Sequence, residues 1–149
     1  MWDFLLNLII GLLKAILGIV AFILVVGIPI SIIERIRLKR LARKRAGLSI
    51  CQFARSFNYR RIDTKIIRAV YEGFQDWVGS GIKNFPVVAS DDIAKVYRMG
   101  DEDLDEFAEE LASKTHRRWG EFEINPLYGR VKTVEDLVLL LHFQPKAVS

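Results

Sequence analysis

The sequence predicts an all-α protein in which one N-terminal transmembrane helix precedes a small bundle of four to five helices. Three observations predict this architecture. The chain begins with an uncharged apolar run, apolar residues later recur at the i, i+3, i+4 spacing of amphipathic helices, and helix-capping residues precede those stripes. We therefore divide the chain into a membrane anchor at 1–33, a basic juxtamembrane linker at 34–47 and a helical domain at 48–149.

The predicted membrane span is the apolar run at the start of the chain. Residues 15–33 carry no charge, and about nineteen residues at 1.5 Å each make roughly 28 Å of helix, close to the thickness of a hydrocarbon core. No basic segment precedes the run and no small-residue cleavage site follows it, so a cleaved signal peptide is not expected. Residues 1–13 either continue the helix or lie at the interface, with Lys14 reaching outward. Pro29 is expected at most to kink the helix.

A strongly basic segment follows the span and predicts its orientation. ERIRLKRLARKR, residues 34–45, holds seven Lys/Arg and one Glu. By the positive-inside rule, the C-terminal domain of a single-pass protein of the inner or plasma membrane would be cytoplasmic. The segment either binds anionic inner-leaflet headgroups or acts only as a stop-transfer signal. The predicted headgroup residues are Arg35, Arg37, Lys39, Arg40, Arg43, Lys44 and Arg45.

Charge is divided along the rest of the chain. Residues 34–68 hold twelve Lys/Arg and two Asp/Glu, a net charge of +10, whereas residues 69–149 hold nine and fifteen, a net charge of −6. The overall pI of about 9.3 would suit a nucleic-acid-binding protein. The basic residues lie next to the span, however, and no nucleic-acid motif accompanies them. We therefore expect a membrane and not a nucleic acid as their partner.

Capping residues predict where the helices of the domain begin. Ser49 and Gln52 form a capping box that opens a helix from Ile50 toward Phe57. Asp63 precedes a longer amphipathic helix that Gly79-Ser80-Gly81 ends, and Ser90 is expected to cap a short helix over 91–97. The predicted buried stripe of the longer helix comprises Ile66, Ile67, Val70, Tyr71, Phe74, Trp77 and Val78.

An acidic stretch, YRMGDEDLDEF at 97–107, opens the next helix. Asp101, Glu102 and Asp103 are expected in its cap and first turn, where free backbone N–H groups and the helix dipole favour negative charge. Thr133 and Asp136 then form the capping box of a final helix. The buried residues expected in these two helices are Leu104, Phe107, Ala108, Leu111 and Ala112, and Val134, Leu137, Val138 and Leu141.

The order of these elements resembles the four-helix acyl carrier protein fold. A helix, a long loop, the helix opened by Gly100-Asp101-Glu102-Asp103-Leu104, and a final helix opened by Thr-Val-Glu-Asp-Leu-Val carry the similarity over residues 63–144. In that family, the second helix opens with Gly-x-Asp-Ser-Leu and the serine carries phosphopantetheine. Asp103 stands at the position of that serine, so the resemblance implies a carrier-like domain with no cofactor.

Family members use the acidic second helix to bind basic surfaces of partner enzymes. The resemblance therefore implies a docking face for an unknown protein with a basic surface, and the alternative is that these acids only cap and solubilise a surface helix. Self-association is left open by the sequence. The predicted partner-binding residues are Asp101, Glu102, Asp103, Glu106 and Glu110.

No residue pattern predicts catalysis. The histidines lack metal-ligand spacing, and the chain has no phosphate loop or nucleophile elbow. Cys51 is expected to be a small buried hydrophobe, with palmitoylation as the alternative. We therefore expect a non-catalytic, membrane-anchored interaction module without metal or cofactor. The second hypothesis is an accessory or regulatory subunit of a membrane-associated lipid or polyketide synthesis system.

Overall fold

The computed structural model describes residues 2–58, 60–79, 81–120 and 125–147, together with every side chain in these ranges except that of Asp3. These residues form helices and no strand, which confirms the all-α prediction. The chain divides into two compact units, Met1–Arg43 and Lys44–Ser149. Each unit is described by itself.

The first unit is helical over its described length. Helix α1 spans Trp2–Phe22, a π-helical segment spans Ile23–Gly27, and helix α2 spans Ile28–Lys44. The run Phe4–Lys44 has a most apolar window of mean hydropathy 3.0, none of it buried, and is long and apolar enough to cross a membrane. Residues 2–13 thus continue the apolar helix, and the segment predicted as a linker is helical as far as Lys44.

The π-helical segment has a cause in the sequence. Pro29 has no N–H, and its ring would clash with the carbonyl of Val25 in a regular α-helix. The wider turn over Ile23–Gly27 contains that carbonyl, and the N–H of Ile28 reaches back five residues to the oxygen of Ile23. Proline therefore changes the local helical pitch without ending the helix.

The second unit is a bundle built around one central helix. Helix α4, Thr64–Val78, packs against all the other helices of the unit. Its buried row is Ile66, Ile67, Val70, Tyr71, Gly73 and Phe74. The helices around it are α3 at Ile50–Arg55, α5 at Ile93–Tyr97, α6 at Asp101–Lys114 and α7 at Val134–Phe143.

Three of the predicted helix starts are confirmed by their caps. The Ser49 N–H donates to Gln52 Oε1 at 2.7 Å, and Asp63 Oδ1 accepts from the Lys65 N–H at 2.9 Å. At α7, Thr133 Oγ1 accepts from the Asp136 N–H at 3.2 Å. These side chains satisfy backbone donors that the first turn of a helix leaves without partners.

Aromatic side chains fill the centre of the bundle. The Phe74 ring lies 4.3 Å from Tyr97 and 5.0 Å from Phe107, measured between ring centroids. Gly73 lets α4 and α6 approach closely, because a Cβ there would lie 3.0 Å from Phe107 Cζ and 3.0 Å from Leu111 Cδ2. The long connection between α4 and α5 also contributes buried residues, among them Phe85.

Backbone hydrogen bonds hold that connection against the start of α7. The N–H groups of Val134 and Glu135 donate to the carbonyls of Asp91 and Ala89, at 3.0 and 2.9 Å. The Ile93 N–H donates to a carbonyl just before α7 at 2.9 Å. The free donors at the start of α7 therefore fix the position of α5.

The structure differs from four of the local predictions. Helix α3 ends at Arg55, short of Phe57. Asp92, and not Ser90, caps α5 by accepting from the Lys95 N–H. Trp77 is 41% exposed because it lies at the edge of the bundle, where its Nε1 donates to the Tyr97 carbonyl at 3.0 Å. Cys51 is exposed, since Phe53 is the buried residue of the short α3.

Two other residues of the predicted stripes are only partly buried. Val78 lies in the last turn of α4, at the end of the bundle, and Leu104 lies in the first turn of α6. The remaining members of the stripes are buried, and α7 buries Leu140 in addition.

Candidate functional site

The candidate site is the outer face of α6, and its first turn is fixed by a local cap. Gly100 is the N-cap residue, and its N–H donates to Asp103 Oδ2 at 3.1 Å. The sequence predicted that Asp101, Glu102 and Asp103 would occupy the cap and first turn; in the structure all three lie in the first turn and Gly100 is the cap. Asp103 therefore serves the helix start through its carboxylate.

Packing decides which way the remaining side chains of α6 point. Phe107, Ala108, Leu111 and Ala112 are buried against the bundle. At 100° per residue, Glu102, Asp103, Glu106, Glu109 and Glu110 then fall on the opposite half of its circumference, whereas Asp101 and Asp105 lie nearer its buried side. The carboxylate residues of this acidic surface, all exposed, are Asp101, Glu102, Asp103, Asp105, Glu106, Glu109 and Glu110. They include all five predicted partner-binding residues and two more.

One cation lies at the C-terminal edge of the acidic surface. Lys114 Nζ approaches Glu110 Oε1 at 2.7 Å. The hydrogen bond to Glu110 raises the pKa of Lys114, and the charges of Asp76 and Glu72 on α4 add to the effect. Because this pair is exposed, it contributes little to stability. The first ten residues of α6 carry no cation.

An open groove of about 300 Å³ runs beside the first half of α6. Asp101 and Asp105 lie on one side of it. Leu104, Trp119 and Tyr128 contribute apolar and aromatic surface. The site thus combines an acidic face with an adjoining apolar depression, which is the composition of surfaces that bind amphipathic segments. Sequence reasoning did not predict this groove, because its walls come from residues far apart in the chain.

The predicted headgroup residues do not all share one environment. Arg35, Lys39, Arg40 and Arg43 are exposed on α2, as is Lys44, while Arg37 Nε donates to Glu34 at 2.6 Å. Arg45 lies in the second unit and has a different role. It forms a bidentate ion pair with the buried Asp91, Nη1 to Oδ2 at 2.8 Å and Nη2 to Oδ1 at 2.5 Å.

Asp91 is the centre of a small buried polar cluster. Its Oδ2 also accepts from the Val88 N–H at 3.1 Å and from the Tyr97 hydroxyl at 2.8 Å. Burial, followed by the charge of Asp91, raises the pKa of Tyr97 well above its ordinary value of 10.0. The carboxylate thus accepts four hydrogen bonds inside the fold, three at Oδ2 and one at Oδ1. Sequence reasoning missed this cluster, since Arg45 reads as one more member of the basic run.

The described residues provide no arrangement typical of a metal site, since no group of three or more His, Cys, Asp or Glu residues could hold an ion among them. The carboxylates of α6 face solvent, outside any enclosed pocket. Comparisons with protein-family models, curated proteins and solved structures gave no match to this chain. Charge, exposure and shape are therefore the properties of the site that bear on its function.

Proposed function

We propose that this chain is a membrane-anchored, non-catalytic interaction module whose acidic surface on α6 binds a basic partner protein. The observation that carries the proposal is the uninterrupted row of exposed carboxylates on one helix. Like charges on neighbouring turns repel one another and cost stability. A helix cap explains Asp103 and the dipole favours acids in the first turn, but neither explains Glu106, Glu109 and Glu110.

Electrostatic attraction is the physical effect by which such a surface would recruit a partner. A dense patch of one sign raises the rate at which an oppositely charged partner approaches, and it rejects partners of the same sign. The seven acids and one lysine of α6 account for the whole net charge of −6 over residues 69–149, so the negative field is concentrated on this helix. A cationic partner surface is therefore the one that this domain attracts.

The groove beside α6 supports a more specific partner chemistry. Trp119 and Tyr128 belong to the residue types that dominate binding energy at protein interfaces. Leu104, on α6 itself, lines the same groove. An amphipathic helix or strand with basic residues on one side and a large apolar side chain on the other would occupy both features at once.

Membrane anchoring completes the proposed function. The apolar run Phe4–Lys44 has the length and composition of a span, and the basic residues after it favour a cytoplasmic position for the C-terminal domain. Tethering confines the domain to the membrane surface, which raises its effective concentration toward other membrane-bound proteins.

Crosslinking in native membranes tests the proposal. A photo-reactive amino acid at Glu109 of the full chain should capture a basic protein, whereas the same group at the exposed Lys83 should not. Neutralising three acids of α6 should abolish the capture, and neutralising three acids elsewhere should leave it unchanged. The two matched variants are Glu102→Gln/Glu106→Gln/Glu110→Gln and Glu72→Gln/Asp76→Asn/Glu135→Gln. Equal capture at both positions, or capture indifferent to the first variant, would refute the acidic surface as the docking site.

The accessory role in lipid or polyketide synthesis is the alternative, and it is favoured by the helix order and by Asp103 in place of a serine. Identification of the captured protein separates the two hypotheses, because a synthase would favour the accessory role. Coexpression with a phosphopantetheinyl transferase, followed by mass spectrometry of the intact chain, should give no added mass. An added phosphopantetheine would overturn the assignment of Asp103.

A further inference from the structure

A second group of cations lies on the bundle itself, apart from the basic segment of α2. We call it the basic patch. Its only acidic neighbour within the same stretch of chain is Asp63. All members of the patch are exposed. They are Arg55, Arg60, Arg61, Lys65 and Arg68.

Packing turns these side chains outward. Phe57 and Ile62 are buried, and they fix the turn between α3 and α4 against the bundle. On α4, Ile66 and Ile67 point into the core. Lys65 and Arg68, which are three residues apart, therefore share the solvent-facing side of the helix. All five cations of the patch are thus on the exposed side of the α3–α4 corner.

The basic patch has no counter-charge within the described part of the chain. Asp63 uses Oδ1 to accept the Lys65 backbone N–H, and its Oδ2 faces Arg117 at 3.7 Å. Its carboxylate therefore serves the cap of α4 and a different arginine. No ion pair joins any member of the patch to another described residue, whereas Arg45 and Lys114 are paired inside the unit.

Exposed cations without ion-pair partners among the described residues, as in the basic patch, are complementary in charge to a surface of phosphate groups. We propose that the basic patch binds the anionic headgroups of the bilayer and forms a second membrane contact beyond α2. The patch follows the span closely in the chain, which keeps it within reach of the lipid surface. A nucleic acid fits less well, because the aromatic residues described at this corner, Phe53, Phe57 and Tyr71, are buried and offer no rings for base stacking.

This contact deepens the proposed function by orienting the bundle at the membrane, and it rests on the anchoring but not on the acidic surface. Each cation near an anionic leaflet is worth about a fivefold change in the equilibrium between bound and free states. Removing four of them should lower that equilibrium on the order of a hundredfold or more. Salt should have the same effect, since charges are screened beyond about 3 Å at molar ionic strength.

The exposed Cys51 provides the readout, as it is the only cysteine of the chain and lies just before the patch. The full-length protein, labelled there with a fluorophore, is placed singly into nanodiscs that contain quencher attached to the lipid headgroups. We expect strong quenching in discs of equal parts phosphatidylcholine and phosphatidylglycerol. Quenching should fall in phosphatidylcholine discs and in molar salt.

Two variants with the same change of charge make the test specific. Quenching should be lost when four cations of the patch are neutralised and retained when four other exposed cations are neutralised. The variants are Arg55→Gln/Arg60→Gln/Arg61→Gln/Arg68→Gln and Lys83→Gln/Arg130→Gln/Lys132→Gln/Lys146→Gln. Equal quenching in both lipid mixtures, or in both variants, would overturn the proposal.

Two further outcomes would also count against the lipid contact. Protection of Cys51 that appears only after addition of RNA or of an acidic protein would assign the patch to that partner. A chain that does not enter the discs at all would refute the anchoring, and the lipid contact with it. Loss of crosslinking at α6 with quenching intact would instead refute only the acidic docking surface.

Discussion

Replacement of Arg45 by methionine tests the buried ion pair with Asp91. Met keeps most of the aliphatic volume and removes the guanidinium group, which leaves the Asp91 carboxylate, 3% exposed, without its cation. Breaking one side of a buried pair costs about 3–5 kcal/mol. We expect about 3 kcal/mol, at the lower end of that range, because Val88 and Tyr97 still donate to the carboxylate.

Urea unfolding of the full-length protein in detergent measures this cost. In a Trp2→Phe background, tryptophan fluorescence follows the second unit, because Trp77 and Trp119 both belong to it and the Trp77 indole N–H donates to the carbonyl of Tyr97. With a slope of roughly 1.5 kcal/mol per molar urea for a domain of this size, Arg45→Met should lower the midpoint by about 2 M. Lys44→Met removes a neighbouring exposed cation and should change stability by less than about 0.5 kcal/mol.

A double-mutant cycle separates the ion pair from general damage. Asp91→Asn removes the charge and keeps an oxygen that can accept from Val88 and Tyr97. The double variant with Arg45→Met should be more stable than the sum of the two single costs implies, by about 2 kcal/mol. Additive costs in the cycle, or a loss in Lys44→Met equal to that in Arg45→Met, would refute the reasoning.

Three further predictions concern single positions. Gly73→Ala should destabilise the bundle by about 1 kcal/mol in urea unfolding, because overpacking against α6 outweighs the better helix propensity of alanine; an increase in stability would show that α6 can move away. Thr133→Ala should cost about 1 kcal/mol through loss of the α7 cap, whereas unchanged stability would mean that the cap is redundant. The raised pKa of Tyr97 means that its stabilising contribution is complete below pH 10 and falls as pH rises further, by about 1.4 kcal/mol per unit. Tyr97→Phe should flatten that alkaline decline, measured as urea midpoints between about pH 9 and 11; an unchanged slope would assign the decline to another group.

Local chemistry determined the elements that the sequence predicted correctly. A capping box is formed by residues three apart, so Ser49 with Gln52 and Thr133 with Asp136 could be recognised without any tertiary information. The apolar run of α1 was equally readable, since length and absence of charge alone define a candidate span. The outward direction of Glu106, Glu109 and Glu110 followed from the helical period, once the buried stripe of α6 was identified.

Contacts between distant residues decided what the sequence did not reveal. Asp92 caps α5, whereas Asp91 accepts hydrogen bonds from Arg45 and Tyr97. No local pattern distinguishes these two neighbouring aspartates. Cys51 reads as an apolar residue in a short helix, yet its exposure depends on how α3 lies on α4. Residue type and spacing did not carry that information.

By itself, the sequence determined an apolar N-terminal helix and the basic segment after it. It also determined the starts of α3, α4 and α7 and the acidic character of α6. Only the tertiary structure decided that Arg45 pairs with the buried Asp91, that a groove adjoins the acidic surface and that the cations of the α3–α4 corner are exposed. The physical reason is the distance along the chain over which each interaction acts. Caps and helical periodicity act over a few residues, whereas the pairing of Arg45 with Asp91 joins positions 46 apart and exists only once the chain has packed.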